Sequence, residues 1–301
     1  MLQPAGSLVR ARSPDAPVRT AVGPVELCGE GDRFHDYVLE PYDALAPAAG
    51  KLRSVNVLYE SFAIAGVEEA GRRIVDLVRG GLGPFRTVWG IKRTGAGDAD
   101  LAWELYFYDF ERVHADLSLG SVRQMLAPAV ALEVEEPRVL PWHMFSVDLG
   151  LEQLQGRAPG EVHVYIDMRC YALRGRTLEL ENIYTFHDPR REIDEILHRL
   201  RSSVHFDERR DNLGRLVTPA LLRCGRMCVA NKRNADAVYF SRVRTPALLE
   251  VLSREQWPAS LCGFVHAQQP ALDHLLWDVG IDFRAGPGGM ELGKTGIYGS
   301  F

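Results

Sequence analysis

Ten short runs with period-two alternation, separated by helical stretches, constrain what this chain can fold into more than any motif does. The runs lie at 85–93, 102–110, 143–149, 161–171, 178–187, 226–232, 236–243, 261–267, 274–284 and 290–299. Alternation places successive side chains on opposite faces of a strand. Several neighbouring runs are joined by only a few residues, which makes most of the pairings antiparallel. Apolar recurrence at three and four spacing predicts a helix over 54–80, stopped at Gly80 and Gly81, with further helices at 112–127, 189–203 and 246–254. Such a set can form two α+β sheets, an open sheet with one wet face, or one closed barrel jacketed by helices.

The facing pattern favours the barrel. Across 162–171, Val162, Val164, Ile166, Met168 and Cys170 share one face, and His163, Tyr165, Asp167, Arg169 and Tyr171 share the other. Aromatic rings mixed with His, an acid and Arg suit the lining of a shaped, wet cavity better than a plain solvent face. Elsewhere Glu104, Tyr106 and Tyr108 lie opposite Trp103, Leu105 and Phe107, and Tyr239 shares a face with Ser241. Lys294 and Tyr298 share a face with Gly296 between them, Lys232 shares one with Arg226, and His274, Asp278 and Asp282 alternate with Leu276 on one strand face. We expect an α+β fold, an antiparallel ten-stranded β-barrel surrounded by helices in αββα repeats, formed by 25–301 as one domain. Closure also removes exposed sheet edges. Residues 1–24, rich in Pro, Ala, Arg and Ser without periodicity, are expected to be a flexible arm.

Composition removes several classes of function. Hydrophobic residues make up 46% and charged residues 25% of 301, the balance of a soluble globular protein. The chain lacks a long apolar run for a membrane span and an apolar core for a secretory signal. A net charge of −5 argues against a nucleic-acid surface. Five cysteines, odd in number and irregularly spaced, do not make a disulfide framework. A cytoplasmic monomer is the expectation.

Of 35 basic residues only Lys51, Lys92, Lys232 and Lys294 are lysines. Three of these lie in strand runs, TVWGIKR, MCVANKR and MELGKTGIYG. Where arginine fills almost every other cationic position, a retained ammonium suggests a site that needs a compact point charge. Lys92, Arg169, Lys232 and Lys294 are then candidate cations, and Tyr165, Tyr171, Tyr239 and Tyr298 candidate phenols, converging on one interior. Such a lining can hold a polyphosphate through charge-assisted hydrogen bonds without a glycine loop. The aromatic faces can also shield a carbocation. A diphosphate leaving group beside a shielded allylic cation is the chemistry of prenyl transfer.

The arrangement resembles the aromatic and peptide prenyltransferases of the ABBA, or PT-barrel, type, and most of all the cyanobactin peptide prenyltransferases. ANKRNADAVYFSRVRTPALLEVL is similar to a strand–Asn-rich turn–strand–helix passage of that group, and GKTGIYGSF to its closing Tyr-containing strand. The resemblance implies that Lys92, Lys232, Tyr239, Lys294 and Tyr298 hold an allylic diphosphate, with Arg169 and Tyr171 as further ligands. It also implies magnesium on the diphosphate and an aromatic metabolite or peptide side chain as acceptor, in natural-product biosynthesis. The family uses a carboxylate near its first strand to take the acceptor's proton. TVWGIK has no acid, so this catalytic role is assigned to Glu104, and the acceptor pocket to Trp89, Tyr106, His163 and Tyr165.

Other signals point nowhere. There is no DDxxD, HExxH or GxSxG, and GAGDAD at 95–100 reads as a hairpin turn rather than a P-loop. Cys224 and Cys228 lack a second CxxC pair, so no protein metal site is expected. Two other functions stay open: a non-catalytic module binding an anionic metabolite or peptide, and an enzyme acting on a phosphorylated metabolite with His163 and Asp167 as acid and base.

Overall fold

The computed structural model describes residues 24–95, 100–108, 117–136 and 142–301. The expected arm, apart from Pro24, lies outside these residues, as do most of GAGDAD, the end of the 102–110 run and the start of the 112–127 helix. Ten strands close into one antiparallel barrel in chain order: β3 (Val88–Arg93), β4 (Leu101–Tyr108), β5 (Met144–Leu149), β6 (Glu161–Ile166), β7 (Arg169–Arg174), β8 (Thr177–His187), β9 (Arg226–Lys232), β10 (Asp236–Arg244), β11 (Leu276–Gly286) and β12 (Gly289–Ser300). Closure comes from β12 pairing with β3, Gly296 opposite Lys92 and Tyr298 opposite Gly90. A separate hairpin of β1 (Phe34–His35) and β2 (Pro41–Tyr42) precedes the barrel.

The helices lie on the outside, where the outward strand faces are apolar. They are α1 (Val55–Ile64), α2 (Glu68–Leu82), α3 (Leu119–Leu126), α4 (Leu151–Leu154), α5 (Ile193–Arg201), α6 (Thr245–Arg254), α7 (Ala259–Ala267) and α8 (Gln269–Leu272). The hydrophobic core sits between this jacket and the barrel wall, and Trp89, Trp103, Trp277, Phe107, Phe145, Phe240 and Phe283 are fully buried in it. Two indoles keep a polar partner there. Trp103 Nε1 donates to Ser61 on α1, and Trp277 Nε1 donates to Thr245 on α6. No helix among the described residues is long and apolar enough to cross a membrane.

Three elements differ from expectation. The 161–171 run is two strands, because Asp167, at φ +53°, and Met168 form a two-residue turn. The 261–267 run is helical, and its buried residues Leu261, Phe264 and Val265 recur at the spacing of one helix face. These two differences cancel, so ten strands result. The 54–80 helix is broken into α1 and α2 at Gly66, whose φ of +72° ends the first segment.

Candidate functional site

Five tyrosines face inward and form a closed ring around the bore: Tyr106 on β4, Tyr165 on β6, Tyr184 on β8, Tyr239 on β10 and Tyr298 on β12. Pleat and strand tilt put one layer of a barrel's side chains on alternate strands, which is why every second strand contributes. Passing round the ring in that order and back to Tyr106, the ring centroids are 6.4, 6.1, 6.2, 6.5 and 6.0 Å apart. Glycines opposite make room for the rings. A Cβ at Gly90 would lie 2.7 Å from the Tyr298 ring, and one at Gly280 would lie 2.7 Å from the Tyr239 ring.

A sixth tyrosine enters from the β1–β2 segment and closes one end. The Tyr37 ring lies 4.8 Å from Tyr106 and 5.3 Å from Tyr298. Its backbone N–H donates to Asp278 at 2.8 Å, and its carbonyl accepts from the Tyr108 hydroxyl at 2.6 Å. Burial holds the phenols of Tyr37, Tyr106, Tyr165, Tyr184, Tyr239 and Tyr298 well above their usual pKa, so each keeps its proton to donate. A β-bulge in β10 helps to fix this plug. Arg242, at φ +64°, donates its backbone N–H to Asp278 and its Nε to the buried Asp36.

Burial, reinforced by the nearby Asp36, pushes the Asp278 carboxyl up to about 7. Its folded pKa is thus above the unfolded value of about 3.9, so stability is fullest at low pH and is lost as pH rises from about 4 to about 7. Thermal melts across that interval should show this loss, and Asp278→Asn should remove it. An identical pH slope in the variant would contradict the assignment.

The other end of the bore is charged. Lys92 Nζ lies 2.7 Å from Glu104 and 2.8 Å from Asp148. Burial works against its charge, but the two carboxylates overcome this and hold Lys92 well above the ordinary lysine range. Glu104 is pushed up by burial and then by Asp148, whereas Asp148, resisting its own burial, is held low by Lys92 and His163. His163 lies 3.7 Å from Asp148 and 3.1 Å from Glu181, which against the effect of burial raise it to about 10 and keep it cationic at neutral pH. Lys232 pairs with Asp282 at 2.7 Å. Lys294 is different: exposed at the rim of the bore, it makes no hydrogen bond or ion pair with any described residue, and Lys92 beside it, reinforced by Lys232, pulls its pKa down.

The bore therefore brings together Lys92, Glu104, Tyr106, His163, Tyr165, Lys232, Tyr239, Lys294 and Tyr298. Four residues are placed elsewhere than expected. The turn at Asp167 resets the alternation, so Tyr165 faces Cys170 across the hairpin while Arg169 and Tyr171 pair with Ile166 and Val164 on the outer face. Tyr171 packs there against the hydrophobic core, and Arg169 extends into solvent beside Asp167. Asp167 is 79% exposed, so it is no partner for His163. Trp89 also faces outward, its ring 6.4 Å from Trp277.

The residues missed are Tyr37, Asp148, Glu181 and Tyr184. Tyr184 was recoverable by parity. The acids were not, since only pairing across strands brings Asp148 to Lys92 and Glu181 to His163. Glu104, Asp148 and His163 each bring a ligand atom within 4.8 Å of the others, a spacing that suits a metal. Lys92 already bridges the two carboxylates, and a protonated imidazole does not ligate, so the cluster is satisfied by its own charges. Compared with known proteins, the chain matches no family model and no curated protein.

Proposed function

We propose that the protein transfers an isoprenyl group from an allylic diphosphate to an aromatic metabolite or a peptide side chain, in the manner of the PT-barrel prenyltransferases its sequence resembles. The observation that carries this reading is the tyrosine ring, plugged at one end by Tyr37 and met at the other by three lysines. Lys294 is the cation left over for a ligand, so it receives the diphosphate first, and Lys232 joins by exchanging Asp282 for a phosphate oxygen. As the allylic carbon–oxygen bond breaks, both electrons leave with the diphosphate. The carbocation lies against the tyrosine faces, each contact worth about 2 kcal/mol in a desolvated setting. The acceptor attacks that carbon, and Glu104 takes the proton it releases. Magnesium, if bound, would be held chiefly by the diphosphate oxygens and would shield their charge, with Asp282, freed when Lys232 turns to a phosphate oxygen, as the carboxylate to assist it.

Incubation with dimethylallyl or geranyl diphosphate and a panel of indoles, phenols and Tyr- or Trp-containing peptides, with magnesium or with EDTA, should give products heavier by one prenyl unit. Tight diphosphate binding without any transfer would favour the binding-module reading instead. Neither binding nor transfer would exclude both.

A further inference from the structure

Tyr37 closes only one side of its end of the bore. Its ring meets Tyr106 on β4 and Tyr298 on β12, and the inward residues around it, Tyr108, Met144 and Asp278, are all buried. On β8 the same end is open. Phe186 lies two residues beyond Tyr184 and faces inward with it, opposite Cys228, yet among the described residues it is 38% exposed. The tyrosine ring has the same asymmetry: Tyr106, Tyr165 and Tyr298 are buried, whereas Tyr184 and Tyr239 are half-buried. Water therefore reaches the bore along β8 and β10.

Resting on the transferase reading, we infer that this wet side is a channel for the donor's hydrocarbon tail, and that the donor is a farnesyl or longer allylic diphosphate. The tail leaves the barrel over Phe186. Charge fixes the head at the far end of the same strands, where Lys232 lies opposite Asn182 and Lys294 stands at the rim. Asn182 and Phe186 are four residues apart on β8. A rise of about 3.3 Å per residue, shortened by the strand tilt, puts about 10 Å of bore between them. A geranyl chain just covers that distance, and a farnesyl chain overruns it.

The surroundings of the exit suit a hydrocarbon. The turn between β6 and β7 leaves Met168 52% exposed, and its carbonyl accepts the Tyr184 N–H at 2.8 Å, which ties the turn to β8. On the plug side Arg226 donates to both carboxylate oxygens of Glu40 at 2.9 Å, so its charge is already matched. A blind pocket would end in a side chain that fills it, as Tyr37 does across the bore. Instead β8 turns a half-exposed phenyl ring inward, apolar surface that a passing tail takes out of water. The acceptor belongs elsewhere, since it must bring its proton to Glu104 on β4, on the opposite wall.

Calorimetry with the dimethylallyl, geranyl and farnesyl S-thiolodiphosphates tests this without any turnover. Affinity should rise with each added unit, and the farnesyl analogue should bind about tenfold or more tighter than the geranyl one. Phe186→Asp, which sets a carboxylate at the exit, should cancel that farnesyl-to-geranyl ratio, whereas Phe186→Leu should keep it. Should the Asp variant fail to fold, the wild-type series and the Leu variant decide. A farnesyl affinity at or below the geranyl value, or a ratio that Phe186→Asp leaves intact, would overturn the channel while the short donors still bind and the transferase reading stands. Wild-type protein that binds none of the three would overturn both.

Discussion

Lys92→Met should destabilise the protein by about 3–5 kcal/mol, because it strips the cation from two buried carboxylates at once. In the native protein Lys92 lies within 2.8 Å of Glu104 and Asp148, and its own side chain is only 9% exposed. Without it Glu104 keeps the Ser146 hydroxyl at 3.1 Å, and Asp148 keeps the more distant His163. Neither replaces a full charge. The deficit has a definite pH dependence. Losing Lys92 raises the folded pKa of both acids, Glu104 further above its ordinary value and Asp148 up from well below its own, so the penalty is smallest near pH 4 and grows as pH rises. Urea unfolding at about pH 5 and about pH 8 should show the gap from wild type widening, and Glu104→Gln added to Lys92→Met should recover part of the loss. An unchanged midpoint at both pH values would show that the bridge does not balance these charges.

Lys294→Met should have the opposite profile, losing binding and not stability. Lys294 has no partner among the described residues, and Lys92 and Lys232 both weigh against its charge. Removing a cation from that field relieves repulsion, so the melting temperature should hold or rise slightly. The ligand site should suffer. A charge-assisted hydrogen bond is worth about 1.5–3 kcal/mol, so affinity for inorganic pyrophosphate should fall by about 10- to 100-fold in calorimetry. The pair of variants separates a lysine kept for the fold from one kept for a ligand. Undiminished pyrophosphate affinity in Lys294→Met would remove Lys294 from the diphosphate site.

The barrel was legible because a strand's period is fixed at two. That period alone places Lys92, Glu104, Tyr106, Lys232, Tyr239, Lys294 and Tyr298 on inward faces, and the structure keeps them there. It also carried a contradiction about Trp89, which is three residues from Lys92 and so must face the other way. Arg169 and Tyr171 were misplaced for a local reason. Asp-Met makes a tight turn without the Gly or Asn that usually marks one, so the alternation was read straight through a reversal of the chain. The 261–267 segment is a short apolar run that fits helix and strand alike, and only its packing decides. Nothing local could reveal Tyr37 inside the bore or the carboxylates on Lys92 and Lys232, since residues 56 and 50 positions away supply Asp148 and Asp282.

The most direct test is a structure determined with a non-cleavable allylic diphosphate, such as geranyl S-thiolodiphosphate. The diphosphate should sit on Lys294 and Lys232 at the open end, with the isoprenoid chain running down against Tyr298, Tyr239 and Tyr106 toward Tyr37. An analogue seated outside the barrel, or a bore that stays closed to it at saturating concentration, would contradict isoprenyl transfer in this chamber.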